Sequence, residues 1–491
     1  MTATLLDCGH VQTKIPQIKM YTKEMSISIK TKDLTKIGYT DNIARSIAIS
    51  AINKHYKRCT KDEVLTELTD IMQNPAQYTE HEVWGRLAGH FFPQNEQTTF
   101  ECFRLRDEPL AFKSYGGKDI EHVAVKQMEL AMRLPVAVQG ALMPDAHSGY
   151  GLPIGGVLAV ERVVIPYAVG VDIGCRMSLT LFGENPRYLQ RYAHQAKEAL
   201  MKWTHFGMEG GLDVVQENEV LDRAEFREIP LLKLLHGKAV RQLGSSGGGN
   251  HFVEFGDVQL FADNVLGLPE GDYMALLSHS GSRGLGAEIA RHYSDVARGR
   301  CKLPREAQHF AWLDLASAEG QEYWQCMNLA GTYAQACHER IHANLAKAMG
   351  LHVIANVNHH HNFAWKETLS DGREAIIHRK GATPAHEGEA GVIPGSMTAA
   401  GYLTCGKGVP EALYSASHGA GRAMSRQKAN KSFTRSELKK MLASAGVTLI
   451  GGSVEEAPQA YKDIDRVMEA QAMLLEVHGR FMPRMVRMNE E

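Results

Sequence analysis

Little in this 491-residue chain favours one charge: 54 lysines and arginines face 56 aspartates and glutamates, for a formal charge of −2. No basic excess advertises nucleic acid, so any such surface has to come from local clustering. No apolar run reaches the roughly twenty residues of a membrane-spanning helix, and the first residues lack the charged-then-apolar pattern of a secretory signal. The 8 cysteines are scattered without disulfide-like spacing, which fits a reducing, cytoplasmic setting. Internal repeats and low-complexity tracts are absent too. What is plentiful is glycine, at 46 residues, and histidine, at 23, of which 13 fall between His251 and His418. Hydrophobic residues at 44% suffice for a large core, and the length allows more than one domain.

The first hundred residues read as a small helical module. Asp41–Tyr56 carries Ile43, Ile47 and Ala51 at helical spacing behind an Asp41-Asn42 cap. Thr60-Lys-Asp-Glu63 is a capping box ahead of Val64, Leu65, Leu68, Ile71 and Met72, and Thr79-Glu-His-Glu82 reads as another, opening a short helix that Pro93 stops. No basic recognition helix stands out among the three, so a structural or partner-docking module is expected rather than a helix-turn-helix. After a Gln-rich stretch over 93–99, a helix is expected over Val123–Leu134 and a strand over Val136–Met143. Apolar β-type runs follow at Val157–Val164 and Val169–Cys175. Helical pattern returns at Gln190–Lys202, Leu285–Ala297, Ala316–Leu345, after the Thr434-x-x-Glu437 box, and at Tyr461–Val477. Strand signals stand at Phe252–Phe255 and Tyr273–Ser278. This mixture lacks the regular alternation of a parallel βαβ sheet, so the expected class is α+β, with a mixed core of sheets and flanking helices.

The chemistry gathers in glycine-rich stretches. Ser415–Arg426 places His418 between two serines and a Gly-Ala-Gly turn, whose backbone N–H groups suit an anion. Arg422 and Arg426, four apart, would share one face of a helix starting there, and their planar forks suit phosphate oxygens. Asp172-Ile-Gly-Cys175, Gly247-Gly-Gly-Asn-His251, Ser278-His-Ser-Gly-Ser-Arg-Gly284 and Asn358-His-His-His-Asn362 offer a carboxylate, a thiol and imidazoles at loop positions. Taken singly, each also reads as inert core or polar loop; together they point to one metal site. A thiolate with imidazoles suits zinc, whereas an added carboxylate and a phosphate substrate suit manganese. Arg283, the His378-Arg-Lys-Gly-Ala382 turn and Pro394-Gly-Ser-Met397 add cations and a hydroxyl for phosphate.

In order, MPDAHSGYG, VGVDIGC, GGGNHF, HSGSRGLG, HHNF, RKGA, PGSM and SHGAGRAMSR resemble the RtcB family of GTP-dependent RNA ligases, from about Lys113 to Asp465. The resemblance implies a helical N-terminal extension over 1–105 and a catalytic domain over 106–491. It implies joining of RNA 3′-phosphate or 2′,3′-cyclic phosphate ends to 5′-hydroxyl ends, with GTP and two Mn²⁺ ions and no membrane partner. Carried over by position, His418 takes GMP from GTP. Asp172, Cys175, His251, His279 and His361 become the manganese ligands, with His361 chosen from the triple by the Asn that follows it. Asn250, Phe252, Glu254, Asn362, Pro394, Gly395, Ser396, Met397, Gly419, Ala420 and Gly421 become guanylate contacts. Asp145 and His147 fall near the RNA ends, with Arg283, Lys380, Arg422 and Arg426 on phosphates. Two departures stand out. Gly401 occupies the place of a family serine near the guanine, and the chain ends Arg484-Met-Val-Arg-Met-Asn-Glu-Glu491 without the family's terminal Lys-Gly, leaving Arg487 as the available substitute. Two other classes fit the same ligands: a metal-dependent phosphoesterase acting on RNA ends without a nucleotidyl intermediate, and a non-catalytic RNA-end-binding module.

Overall fold

A computed structural model describes residues 29–56, 59–79, 81–91, 100–207 and 210–490. The chain divides into two compact units, Met1–Gln97 and Thr98–Glu491. No helix of the described residues is long and apolar enough to cross a membrane.

In the first unit, helices Thr31–Lys36, Asn42–His55, Lys61–Gln73 and Gly85–Phe91 close around Leu34, Tyr39, Ile52, Leu68, Ile71 and Trp84. Asp41 accepts from Ala44 N–H, and Thr60 with Glu63 forms a reciprocal capping box, so both helix starts follow from local side-chain chemistry. The second helix turns Ala44, Ala48 and Ile52 inward, one position on from Ile47 and Ala51, which lie half-buried beside them. The Thr79–Glu82 box does not open a helix. Thr79 Oγ1 donates to Ala76 O at 3.1 Å, and His81 Nδ1 instead accepts from Val83 and Trp84 N–H, both at 3.2 Å, ahead of Gly85–Phe91. Pro93 and the Gln-rich stretch lie outside the described residues.

The second unit is α+β and rests on two largely antiparallel sheets. The larger has eight strands. Its path runs Val353–His360, Arg176–Phe182, Gly271–Ser280, Phe252–Leu260, Leu475–Met488, Gly401–Gly406 and Ala390–Ile393, with Thr448–Ile450 parallel on Leu475–Met488. The other orders Asn362–Thr368, Glu374–Lys380, Ile154–Val160, Ala137–His147 and Lys113–Ser114. Helix Ala318–Met349, capped by Ser317 and ended by left-handed Gly350, buries small and aromatic residues and packs on the larger sheet.

Two expected elements are replaced. The Val169–Cys175 run is not a strand. A short helix, Pro166–Val169, ends in Gly170 at φ +103°, and Gly174 at φ +70° turns the chain before the strand begins at Arg176. Val169, Ile173 and Cys175 are apolar because they are buried at this turn, and periodicity cannot separate that from a strand. The Tyr461–Val477 helix stops early, as Ile464–Ala470, and the chain then forms the 14-residue strand Leu475–Met488 between Phe252–Leu260 and Gly401–Gly406. Pro483 sits where that pairing shifts register, as expected for a residue without an N–H to donate.

Candidate active site

Strand register assembles the metal-type donors. Met177 and Phe252 both stand opposite His279, on either side of its strand. Cys175 and His251 lie a short step away, so all three meet at one sheet end. Cys175 Sγ is 3.4 Å from His251 Nε2 and 3.2 Å from His279 Nε2, and all three donor atoms lie within 4.8 Å of one another. His361 is the single residue between Val353–His360, an edge strand of the larger sheet, and Asn362–Thr368, an edge strand of the other. Its N–H donates to Cys175 O at 2.9 Å, its carbonyl accepts from Ala382 N–H at 3.2 Å, and its Nε2 lies 3.2 Å from His279 Nε2. Asp172 Oδ2 completes the group, 3.1 Å from His251 Nε2. The other two histidines of the triple are engaged elsewhere: His359 between Thr383 Oγ1 and Val392 N–H, His360 against Arg176.

These donors fit a divalent cation. His279 Nδ1 donates to Asn250 O at 3.1 Å, which leaves Nε2 bare toward the cluster. Burial pushes His279 down to about 3 and holds His361 well below the usual histidine range, so both rings are neutral and keep a lone pair. Burial also opposes charge on Asp172, but His251 outweighs it and leaves that carboxyl below its usual range. Burial, aided by Asp172, raises the Cys175 thiol well above its usual value. Burial and the Asp172 charge thus oppose a thiolate in the cluster, and a bound metal ion provides the positive charge that favours one.

Beside it stands His418, its ring centroid 5.0 Å from that of His361. It follows strand Ser415–Ser417, which pairs with Ala382–Pro384. Asp145, fully buried on strand Ala137–His147, accepts from His418 Nδ1 at 2.6 Å and from His418 N–H at 3.2 Å. The carboxylate thus fixes the proton on Nδ1 and leaves Nε2 unprotonated. Gly421, at φ +71°, permits the close pass over Asp145, since a Cβ there would fall 2.1 Å from Asp145 O. The turn before His418 is strained: Leu413 and Tyr414 are both left-handed, at φ 52° and 49°. Buried Arg379 holds it, donating to Leu413 O at 2.9 Å, to Ser415 Oγ at 2.7 Å, and to both Glu367 oxygens at 2.6 and 3.1 Å. Replacing Arg379 by Leu leaves Glu367 without its guanidinium and the turn without its clamp. The expected loss is about 3 kcal/mol of stability, read as a lower urea midpoint.

One cavity of about 740 Å³ is lined by every residue that the resemblance carries over as a site residue except Asp145, which lies beneath His418, and Arg283. Arg283 Nε donates to Ser245 Oγ at 3.0 Å and its terminal nitrogen to Gly207 O at 2.5 Å, so the structure spends it on neighbouring chain. Arg422 and Arg426 do not share a helix face, because the helix begins only at Arg426. They converge from separate segments on Glu456, at 3.0 and 3.4 Å. His147 Nδ1 lies 3.0 Å from Asp145 O. Asn362 bridges Gly381 N–H, at 2.8 Å, and Asp172 O, at 3.4 Å. Lys380 donates to Tyr150 O at 2.5 Å, and burial brings it down to about 8.

At the apolar end, Glu254 stands between Leu277 and Val486 in register, with Met177, Phe481 and Met488 also lining the wall. The wall residues from Phe481 to Met488 were not legible in the sequence because their strand was not. Strand alternation puts Val486 and Met488 in the cavity and turns Arg487 to Met488 O, Ile450 O and Glu490. Arg487 therefore does not stand in for a terminal lysine. Gly401 lines the same end, where a Cβ would lie 3.3 Å from both Ile393 O and Pro394 Cα.

Glu254 has no hydrogen-bond or ion-pair partner among the described residues, and burial pushes it up to about 8. Below about 4.5 the carboxyl is protonated in folded and unfolded chain alike. Between there and about 8 the unfolded chain gives up the proton and the folded one keeps it, so stability falls as pH rises, then levels. Glu254→Gln removes this loss. The variant is expected to exceed wild type by ~4 kcal/mol at pH 8 and by under about 1 kcal/mol at pH 5, as paired urea titrations of metal-free protein would measure.

Fold and site bring metal-type donors and His418 together in one cavity, and the comparisons give the chain's family. The family model for RtcB, described as tRNA-splicing ligase RtcB, matches residues 127–234 and 184–489. The chain belongs to the RtcB family of RNA ligases. It is 32% identical over 392 residues to RNA-splicing ligase RtcB1 of Escherichia coli, covering 74% of this chain and 93% of that protein. It is 32% identical over 400 residues to RNA-splicing ligase RtcB of Mycobacterium bovis, covering 67% and 91%. With tRNA-splicing ligase RtcB of Nanoarchaeum equitans it shares 29% identity over 437 residues, covering 74% and 91%.

Proposed function

We propose that this ligase joins RNA 3′-phosphate or 2′,3′-cyclic phosphate ends to 5′-hydroxyl ends, consuming GTP and carrying GMP on His418. Asp172, Cys175, His251, His279 and His361 would hold manganese. One observation carries the reading: an imidazole whose proton is fixed on Nδ1 by Asp145 stands beside five metal-type donors in one cavity.

His418 Nε2 attacks the α-phosphorus of GTP; the P–N bond forms as the bond to the β-phosphate oxygen breaks, and pyrophosphate leaves. Nδ1 keeps its proton and hydrogen-bonds through it to the Asp145 carboxylate, which offsets the positive charge on the ring. An oxygen of the RNA 3′-phosphate then attacks the GMP phosphorus and breaks the P–N bond. Finally the 5′-hydroxyl attacks the activated RNA phosphate, loses its proton, and GMP leaves. The metal, when bound, supplies positive charge against the phosphoryl oxygens. Asn250, Phe252, Asn362 and the 394–397 and 419–421 turns hold the guanylate, with Glu254 giving up its proton on binding so that the carboxylate accepts from the guanine N1–H and amino group. His147, Lys380, Arg422 and Arg426 face the RNA phosphates. In this reading the unit from Thr98 onward is the catalytic domain, the helical unit is an addition, and the enzyme works in the cytoplasm.

The test is an RNA carrying 3′-phosphate and 5′-hydroxyl ends, incubated with Mn²⁺ with and without GTP. Joined product only with GTP is expected. Loss of the 3′-phosphate without joining, indifferent to GTP, would instead identify a phosphoesterase.

A further inference from the structure

The face of the larger sheet turned away from the cavity carries an uninterrupted chain of polar side chains. Side chains alternate along a strand, so Ser278, one residue before His279, points to the opposite face and meets helix Ala318–Met349, which also reaches the backbone oxygen of Ser280. Ser278 Oγ lies 2.6 Å from His338 Nδ1 and 2.7 Å from His342 Nε2. His338 Nε2 lies 3.1 Å from Ser280 O, and His342 Nδ1 lies 2.7 Å from Thr180 Oγ1. Asn356 Nδ2 donates to Thr180 Oγ1 at 2.9 Å. Apart from Asn356 at its outer end, every member is buried.

The hydrogen positions follow by elimination for neutral rings. Ser280 O only accepts, so His338 carries its proton on Nε2 and its bare Nδ1 takes the hydroxyl proton of Ser278. Ser278 Oγ must then accept from His342 Nε2–H, and the bare Nδ1 of His342 takes the proton of Thr180. Burial supports neutrality by pushing both imidazoles far down. A buried polar chain with every member satisfied rigidifies what it joins, whereas a broken one leaves costly unpaired groups.

What it joins is specific. Thr180 belongs to the strand that starts beside Cys175, Ser278 and Ser280 flank His279, and Asn356 belongs to the strand that leads into His361. We infer that the Asn356–Thr180–His342–Ser278–His338 chain positions the metal ligands, locking the three strands that present Cys175, His279 and His361 through a single proton order with both imidazoles protonated on Nε2. This rests on the metal reading proposed above.

The test has two arms on the full chain. In metal-free wild type, ¹⁵N-histidine spectra are expected to show two buried neutral rings of the Nε2–H form, assigned by their loss in His338→Gln and His342→Gln; an Nδ1–H form on either overturns the chain. In the second arm, Mn²⁺ affinity is read from the electron paramagnetic signal of the free ion. Ser278→Ala and His342→Leu are expected to weaken binding about tenfold or more. His342→Gln, which keeps a donor toward Ser278, is expected to stay nearer wild type. Wild-type affinity in folded Ser278→Ala would overturn the positioning role, while failure of wild type to bind Mn²⁺ would overturn the metal reading itself.

Discussion

Asp145→Asn is expected to slow nucleotide transfer to His418 by about a hundredfold or more while the fold and nucleotide binding persist. The cause is charge. Asp145 Oδ2 accepts both the Nδ1 proton, at 2.6 Å, and His418 N–H, at 3.2 Å, and its other oxygen has no partner among the described residues. The oxygen of asparagine can take both bonds and keep the ring oriented, but it carries no negative charge to offset the positive ring that forms as Nε2 attacks phosphorus. Binding is spared because Asp145 lies under His418 and outside the cavity wall. Single-turnover incorporation of α-labelled GTP, beside a binding titration, separates the effects. An unchanged rate would remove Asp145 from the nucleophile's activation.

The second large effect is expected at Cys175. Its sulfur lies 3.4 and 3.2 Å from two imidazole nitrogens, and its carbonyl accepts from His361 N–H, so it is central to the donor group. Cys175→Ala removes the one soft donor and is expected to weaken Mn²⁺ binding by about a hundredfold or more and to abolish nucleotide transfer, with the secondary structure unchanged. A pH signature accompanies this. The raised thiol has to release its proton when a cation binds, so wild-type affinity climbs with pH across the neutral range. In Cys175→Ala that climb is expected to flatten. Equal affinity and equal slope in both proteins would place Cys175 outside the site.

The convergence of these residues was legible in the sequence because each candidate stands at a glycine-rich strand end, the kind of place where loops gather. The pairing of Asp145 with His418 was not. Those residues are distant in sequence, and only the packing of strand Ala137–His147 under the 419–421 turn joins them, so Asp145 read as an RNA-end residue. Arg283 looked free because its neighbours are small; those same neighbours let it sink onto Ser245 and Gly207 O. Arg422 and Arg426 read as one helix face from spacing alone, yet Arg422 forms a β-bridge with Tyr461 and the chain bends at Ala423 and Met424 before the helix starts. Strand Leu475–Met488 was hidden by its proline and its alternating charges, and with it the apolar wall opposite Glu254. The helices with capping chemistry were the legible part of the fold, apart from the Thr79 box, where a histidine ring took over the cap.

The decisive experiment is to incubate the full chain with Mn²⁺ and GTP, digest it, and map the modified residue by mass spectrometry. The expected result is one acid-labile GMP on the peptide containing His418, absent in His418→Ala and strongly reduced in Asp145→Asn. No adduct under conditions where RNA ends are still processed, or GMP on another residue, would contradict His418 as the carrier.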